Sequence, residues 1–230
     1  MSRHFIPRMD ILPEAQKRLW PELKPAQSMG FVLYGGTAIA LRLGHRTSVD
    51  FDFFNDQPLD KNNIHAVFSF MRYATVIQDE TETLTVLVKE TARQDEFVKI
   101  SFFGGIRLGR VSEPEHTEDD ILEVASLEDL IAHKLKVILQ RIEAKDYLDI
   151  AALLKASVSL EKGLAAAKAL YGSAFQPSES LKAMVYFEGG DLDTLPLHVK
   201  KTLVSAASRV QTLPSVTVIS SKLSLNLNEV

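Results

Sequence analysis

The spacing of hydrophobic and polar residues divides the chain into a mixed N-terminal part and a helical C-terminal part. Short apolar or alternating runs predict strands, because side chains on a half-buried strand repeat every two residues. Strands are predicted at 31–34, 49–53, 74–78, 83–90, 96–103 and 120–124. Helical patterns cover 10–28, 37–43 and 60–72, and they dominate from Ser126 to about residue 211.

These elements predict an α+β protein with two lobes. Residues 1–125 form a lobe with a mixed β-sheet flanked by helices, and residues 126–230 form an α-helical lobe. Ser126, followed three residues later by an acid, is a capping signature for a helix that we expect to run to about Arg141. Another helix is expected from about 144 to 155. A cleft between the two lobes is the expected place for an active site.

Composition and charge exclude several classes of protein. No apolar run approaches the ~20 residues that span a bilayer, so we expect no membrane partner. The chain has no cysteine, which excludes disulfides, zinc thiolate sites and thiol catalysis and fits a cytoplasmic protein. The net charge of −4 excludes a wholly basic nucleic-acid-binding protein. An excess of basic residues in 1–48 is either a local basic face for a polyanion or a solvated surface.

Two acids, Asp50 and Asp52, alternate with Val49, Phe51 and Phe53. Side chains two apart on a strand project from the same face, so the two carboxylates share one face and the apolar residues face the core. Neighbouring carboxylates repel each other unless a cation lies between them, and Mg²⁺ is a hard cation that prefers oxygen ligands. The pair therefore predicts a magnesium site, and the alternative is a solvated strand.

A glycine pair precedes the carboxylates. Gly35 and Gly36 stand between a predicted strand and a helix that begins at Thr37. Backbone N–H groups at the start of a helix bind phosphate, and glycine allows the phosphate to approach closely. The alternative is a tight strand-to-helix turn without a ligand. Asp50 follows Gly35 by fifteen positions, which suits a unit in which the acids hold a metal and the glycines hold the phosphates.

Four sequence motifs resemble those of the AbiEii/AbiGii toxin family, nucleotidyltransferases with a DNA-polymerase-β-like fold. Residues 33–54, with the glycine pair and the two acids, resemble its first two motifs. Residues 130–141 are similar to the third, a helix with a lysine and, seven residues on, an arginine. Residues 145–149 are similar to the fourth, a Lys-Asp pair followed by a second Asp. The motifs occur in the family's order and cover about residues 31–155.

The resemblance implies a role for each matching residue. Asp50 and Asp52 hold Mg²⁺ and take part in catalysis, and Lys134 contacts phosphate. Asp146 is a catalytic acid or base, or a group that orients the metal. The residues implied in nucleotide binding are Gly35, Gly36, Thr37, Arg46 and Arg141.

Structural alternatives exist for the third and fourth motifs. Lys134 and Arg141, seven residues apart on a helix, share a face, which permits a joint role in binding phosphate. The same spacing is also typical of a solvated helix face. Lys145 and Asp149 have the spacing of an i,i+4 salt bridge on a helix surface.

Polymerase-β-like enzymes usually carry a third carboxylate on a neighbouring strand. The corresponding predicted strand, 97–103, contains no acid, and Ser101 lies where we would expect one. Asp95 and Glu96 come just before the strand. Three interpretations remain: Asp146 acts as the base, the enzyme uses a single metal, or the protein has lost catalysis.

The sequence thus predicts a Mg²⁺-dependent nucleotidyltransferase that moves an NMP from an NTP to an acceptor hydroxyl. The resemblance implies the toxin of a toxin–antitoxin or phage-defence system, with a cognate antitoxin and an acceptor that is RNA, such as tRNA, or protein. The main alternative is a catalytically silent nucleotide- or partner-binding module of the same fold. A metal-dependent phosphohydrolase is a third hypothesis, because paired acids and a glycine turn also suit that chemistry.

Overall fold

A mixed β-sheet forms most of the N-terminal part in the computed structural model, which describes residues 3–89 and 96–225. The described strands are β1 (His4–Phe5), β2 (Val32–Tyr34), β3 (Asp50–Phe54), β4 (Ala74–Glu80), β5 (Thr83–Lys89), β6 (Phe97–Phe103), β7 (Glu115–Thr117) and β8 (Glu123–Val124). Their order across the sheet is β1-β7-β8-β2-β3-β6-β5-β4. The pairs β1–β7, β2–β8 and β3–β6 are parallel, and the other pairs are antiparallel.

Helices accompany the sheet and then make up most of the remaining chain. The first are α1 (Glu14–Leu19), α2 (Pro25–Ser28), α3 (Gly35–Leu43) and α4 (Lys61–Val67). They are followed by α5 (Leu127–Val137), α6 (Ala144–Lys155), α7 (Leu160–Tyr171), α8 (Pro177–Val185) and α9 (Leu197–Ala207). The predicted α+β fold, with a mixed sheet first and helices after it, is confirmed. Within the described ranges, no helix has the length and apolar character needed to cross a bilayer.

Local signals in the sequence explain several helix boundaries. The polar helix predicted at 10–28 is interrupted near Pro21 and Pro25, because proline lacks the N–H that a continuous helix needs. Gly44 ends α3 in the left-handed conformation, with φ +63°. The Ser126 Oγ accepts a hydrogen bond from the Asp129 N–H, which is the cap that the sequence predicts.

The prediction that this last helix continues to about Arg141 is wrong. Helix α5 ends at Val137, and residues 138–140 form a turn in which the Gln140 N–H donates to the Val137 carbonyl. Arg141 therefore lies beyond the helix, and its spacing from Lys134 does not place the two on one helical face.

The core of the sheet is aromatic on the face opposite the two acids. Phe51 and Phe53 on β3 and Phe102 on β6 are completely buried, and Phe53 stacks on Phe102 with ring centroids 5.5 Å apart. Trp20 packs against Phe51 from outside the sheet. Val49 is 55% exposed, so its predicted core position is wrong: β3 begins at Asp50, and the alternation of the strand does not extend to Val49.

The chain forms two compact units. The sheet, with helices α1 to α4, belongs to the first, and helices α5 to α9 belong to the second. The chain passes from one unit to the other between Ala125 and Ser126. Two segments depart from that simple division: Arg110–Ser112 belongs to the helical unit, and the described chain from Ser221 onward belongs to the sheet unit.

Hydrogen bonds explain both departures. In the helical unit, the Val111 N–H donates to the Asp129 carboxylate, and Arg110 forms an isolated antiparallel bridge with Ser220. In the sheet unit, the Leu223 N–H donates to the Asp56 carboxylate, and the Leu223 side chain is buried. The described part of the C-terminal tail thus forms one bridge and one buried anchor.

Candidate active site

Strand β3 carries both predicted metal-binding acids on the face opposite the aromatic core. Asp50 and Asp52 lie at positions of intermediate exposure, and Phe51 between them is fully buried. In the pairing with β2, Asp52 lies opposite Tyr34, the last residue before the glycine pair. The antiparallel register therefore brings the end of β2 beside Asp52, so that residues fifteen or more positions apart in sequence meet.

Gly35 lies directly against Asp52. Helix α3 begins at Gly35 rather than at the predicted Thr37, and Gly35 has φ +74°. A Cβ at this position would lie 2.5 Å from Asp52 Oδ2, so a side chain here would clash with the carboxylate as well as strain the backbone. The first N–H groups of a helix have no partner within the helix. The start of α3 therefore presents its positive end beside Asp52.

Thr37 anchors this helix on the strand. Its side chain is buried, and its hydroxyl donates to the Asp50 carbonyl oxygen and lies 2.7 Å from Ser48 Oγ. The hydroxyl is thus engaged within the protein, which leaves the backbone N–H of Thr37 as the group for the predicted contact with phosphate. That contact stays a prediction, as does the role of Gly36.

Arg46 lies in the loop between α3 and β3, close in sequence to the acids. Its guanidinium donates to the neighbouring Thr47 carbonyl oxygen over 3.0 Å, and the residue is half-buried. Its predicted role in nucleotide binding is not decided by this contact.

Strand β6 lies beside β3 in the sheet and is the strand on which polymerase-β-like enzymes usually carry a third carboxylate. The parallel register places Ser101 opposite Asp52 and Lys99 opposite Asp50. Ser101 is buried, and its Oγ lies 3.4 Å from the hydroxyl of Thr85 on β5. Hydroxyl groups therefore occupy the place where the acid was expected.

Lys99 was missed in the sequence analysis. Its Nζ lies 3.1 Å from Asp50 Oδ2, so an ammonium group contacts the candidate metal site directly. The alternation of the predicted strand was the available signal, because Lys99 and Ser101 are two residues apart and share a face.

The carboxylate pair fits a single magnesium ion. Mg²⁺ is usually held by one or two carboxylates together with waters and substrate phosphates. Asp50 and Asp52 provide the carboxylates, and the close approach of Gly35 brings the start of α3 next to Asp52. Among the described residues, no group of three or more His, Asp or Glu side chains is arranged to hold a metal. Phosphate oxygens would therefore complete the coordination.

The predicted residues of the helical unit form a buried ion-pair network. Lys134 on α5 lies 2.7 Å from a carboxylate oxygen of Asp146 and 2.7 Å from one of Asp149, both on α6. Asp146 and Asp149 have no exposed surface. Arg141 donates twice to Asp146, from Nε over 2.8 Å and from Nη2 over 3.1 Å.

This network contradicts two structural alternatives. Lys134 is buried, so it does not lie on a solvated helix face. Asp149 pairs with Lys134 rather than with Lys145, whose Nζ lies 2.8 Å from Glu143 instead. Asp149 follows Asp146 by about one helical turn, so both carboxylates of α6 point to the same cation. Asp149 is thus a member of the network that the sequence analysis did not assign.

Burial and charge act in opposite directions on Asp146. Burial raises the pKa of its carboxyl group, but the hydrogen bonds from Arg141 and the charge of Lys134 together lower the pKa below its ordinary value. Asp146 is therefore ionised at neutral pH. A carboxylate with a lowered pKa is a weak proton acceptor, so the lowered pKa of Asp146 favours an orienting role over that of a general base.

A family model described as the nucleotidyl transferase AbiEii toxin of type IV toxin–antitoxin systems matches residues 23–197. The chain belongs to the AbiEii nucleotidyltransferase toxin family. The match covers the glycine pair, both acids of β3 and the network of the helical unit, and it confirms the resemblance carried by the four motifs.

Similar proteins agree with this family and fold. An uncharacterised protein of Aquifex aeolicus (strain VF5) is 32% identical over 127 residues, which are 54% of this chain and 58% of that protein. The match therefore spans less than two-thirds of this relative's length. A crystal structure of a protein from H. pylori, described as a nucleotidyltransferase, has a TM-score of 0.58 at 16% identity and covers 84% of this chain and 92% of that one.

A second solved structure carries the name of a toxin. It is MenT4, a nucleotidyltransferase toxin from Mycobacterium tuberculosis H37Rv, with a TM-score of 0.56 at 15% identity over 86% of this chain and 84% of that one. At these identities, both structures show a shared fold.

Proposed function

We propose that the protein transfers a nucleotide from an NTP to an acceptor hydroxyl at the acids of β3, with Mg²⁺ as cofactor. The observation that carries this proposal is the contact between Gly35 and Asp52. It joins two groups that the chemistry needs together: a helix start that binds phosphate and a carboxylate pair that binds a cation. Neither feature alone would distinguish a nucleotide site from a solvated strand or a tight turn.

In the proposed reaction, the acceptor oxygen attacks the α-phosphorus of the NTP. A new P–O bond forms, the bond to the pyrophosphate oxygen breaks, and the acceptor proton passes to a base or to water. Bound Mg²⁺ neutralises the charge that develops on the phosphate oxygens. The start of α3 holds the triphosphate through backbone N–H groups, and Asp50 and Asp52 fix the cation and hence the phosphates.

For the helical unit, we propose that Lys134 contacts the phosphates and that Asp146 orients it. An ammonium group acts on phosphate as a point charge, so its position must be held by other groups. Asp146 and Asp149, each 2.7 Å from the Lys134 Nζ, support such a positioning role. The alternative role of Asp146 as the proton acceptor requires that it leave its hydrogen bonds with Arg141.

We further propose that the protein acts as a toxin on RNA, such as tRNA, or on a protein, and that a cognate antitoxin opposes it. Membership of the AbiEii family and the similarity to MenT4 support this reading. A catalytically silent nucleotide- or partner-binding module remains the second candidate. Its support is that β6 offers Lys99 and Ser101 to the site instead of a third acid.

Incubation with Mg²⁺, total RNA, cell protein and each α-³²P-labelled NTP tests these proposals. Label that moves to RNA or protein supports nucleotidyl transfer, and Asp52→Asn should abolish the transfer. Asp79→Asn is the matched control, because Asp79 is an exposed acid of β4 that pairs with Lys61. Nucleotide binding without transfer would favour the silent module, and hydrolysis of the NTP without transfer would favour a phosphohydrolase.

A further inference from the structure

Lys99 places an ammonium group inside the candidate metal site. It lies on β6 directly opposite Asp50, and its Nζ contacts Asp50 Oδ2 over 3.1 Å. The side chains are 39% and 31% exposed, so incoming phosphates can reach the pair. A partly exposed ion pair contributes little to folding stability. Its position in the site therefore calls for a reason other than stability.

The charges on this face limit how many cations it can hold. On this face the ammonium group of Lys99 stands beside the carboxylate of Asp50, and Asp52 follows two residues along the same strand. Ser101, the next residue of β6 on this face, is neutral. The strand thus offers no acid from which a second cation could take a ligand. A second divalent cation bound at Asp50 Oδ2 would also meet the ammonium group at close range and be repelled.

We propose that Lys99 restricts the site to one divalent cation and that its ammonium group takes over part of the charge neutralisation which a second cation would otherwise provide. This inference rests on the proposed nucleotidyl transfer and names the charge that acts at its site. When nucleotide and one cation bind, Lys99 donates from Nζ to a phosphate oxygen while remaining beside Asp50. The site then needs no third carboxylate, and the absence of an acid from β6 no longer argues for a silent module.

The number of bound cations gives a test that does not depend on turnover. Mn²⁺ replaces Mg²⁺, and an NTP analogue with a methylene bridge between the α- and β-phosphorus atoms prevents reaction. Electron paramagnetic resonance then counts all the Mn²⁺ ions that are bound in each complex of protein and analogue. We expect one Mn²⁺ per bound nucleotide in the wild-type protein. Two Mn²⁺ ions per nucleotide would overturn the proposal.

Substitution of Lys99 provides the second arm. When the Mg²⁺ concentration equals that of the analogue, Lys99→Met should lower the affinity for the analogue roughly tenfold, because a charged hydrogen bond is lost. Excess Mg²⁺ should recover most of this loss, since a second cation can then enter. Lys99→Arg should behave like the wild type. Lys61→Met, which removes a partly buried lysine of α4 that pairs with Asp79, is the matched control and should leave the affinity for the analogue unchanged.

The outcomes separate this inference from the function on which it rests. If the wild-type protein binds the analogue and Lys99→Met binds it equally well at every Mg²⁺ concentration, the role of Lys99 is wrong and the proposed function stands. If the wild-type protein binds no nucleotide at any Mg²⁺ concentration, both fail. Thermal melting of each variant checks that the fold is retained.

Discussion

Gly35 approaches the Asp52 carboxylate so closely that a methyl group on Gly35 would lie within 2.5 Å of Oδ2. Two further observations fix this arrangement: the antiparallel pairing of Tyr34 with Asp52, and the hydrogen bond from the Thr37 hydroxyl to the Asp50 carbonyl oxygen. Strand β3, which carries the acids, and helix α3, which begins at the glycine pair, are therefore held together at this point. Substitutions in either element here should affect both the fold and the binding of nucleotide.

Gly35→Ala is predicted to lower both the stability of the fold and the affinity for nucleotide. A residue with a side chain at φ +74° costs about 1–2 kcal/mol, and the new methyl group must also push Asp52 aside. We expect a lower free energy of unfolding in urea and weaker binding of the Mg²⁺-nucleotide complex by calorimetry. Unchanged nucleotide affinity in the folded variant would place the phosphate site elsewhere.

The matched control is Gly172→Ala. Gly172 also has a positive φ, +55°, but a Cβ there would meet nothing within 4 Å. Its substitution should lower stability through the backbone alone and leave nucleotide binding unchanged.

Ser101→Asp is predicted to make the stability of the sheet unit depend on divalent cations. Ser101 is buried opposite Asp52, so a carboxylate at this position adds a buried charge beside an existing one. Without metal, such a charge should lower the melting temperature, because a buried and uncompensated polar group costs about 1–3 kcal/mol. Addition of Mn²⁺ should recover more of the melting temperature than it adds to the wild type. Equal responses to Mn²⁺ would show that residue 101 does not face the metal site.

The glycine pair, the two acids and the neighbouring strand of the site could be predicted from sequence, because each is indicated by a pattern of a few consecutive residues. Alternating residues indicate the strand with Asp50 and Asp52 and the strand at 97–103. The glycine pair indicates the turn from a strand into a helix. The pairing of β6 with β3 brings Lys99 beside Asp50, and pairing is a property of the whole sheet. The alternation of the strand places Lys99 on the same face as Ser101, but the register that puts it opposite Asp50 cannot be read from either strand alone.

Two other features could not be predicted for the same reason. Strands β1 and β7 have only two and three residues, and no run of that length shows a periodicity. They form because His4 pairs with His116, more than a hundred positions away.

In the helical unit, Asp149 pairs with Lys134 on another helix, whereas the sequence offered the nearer Lys145 as its partner. Local spacing favoured the wrong ion pair.

The stability of the helical unit is predicted to depend on pH through Asp129. Burial raises the pKa of its carboxyl group to about 6, although hydrogen bonds from Ser126, Val111 and Ser112 oppose the effect. The folded protein thus binds this proton more tightly than the unfolded chain does. The contribution is complete below the unfolded pKa of 3.8 and is lost as the pH rises through about 6. We expect a loss of about 2 kcal/mol between pH 4 and pH 7 from this group.

Asp129→Asn provides the comparison, because the amide does not titrate. The difference in unfolding free energy between wild type and variant should shrink or reverse as the pH rises from 4 to 7. The wild-type curve alone would mislead, since burial lowers the pKa of His133 to about 4, and its contribution grows over the same pH range. A difference that does not change with pH would contradict the raised pKa of Asp129.

The last prediction concerns Lys134, whose burial makes a simple alanine variant ambiguous. Lys134→Met removes the cation that contacts both Asp146 and Asp149, while Arg141 still pairs with Asp146. Breaking a buried ion pair from one side costs roughly 3–5 kcal/mol, because the remaining charge stays buried without compensation. Loss of activity in this variant would therefore show nothing about catalysis on its own.

A second substitution separates the structural role from the catalytic one. Lys134→Met combined with Asp149→Asn removes one charge of each sign, so the double variant should recover much of the stability that Lys134→Met loses. If Lys134 only holds the helices together, nucleotide transfer should return along with the stability. Our proposal that the ammonium group contacts phosphate predicts a different result: the double variant folds, melts near the wild type, and still binds nucleotide weakly and transfers none. Asp149→Asn alone keeps Lys134 paired with Asp146, so it should retain most of the transfer and thereby show that the loss follows the ammonium group.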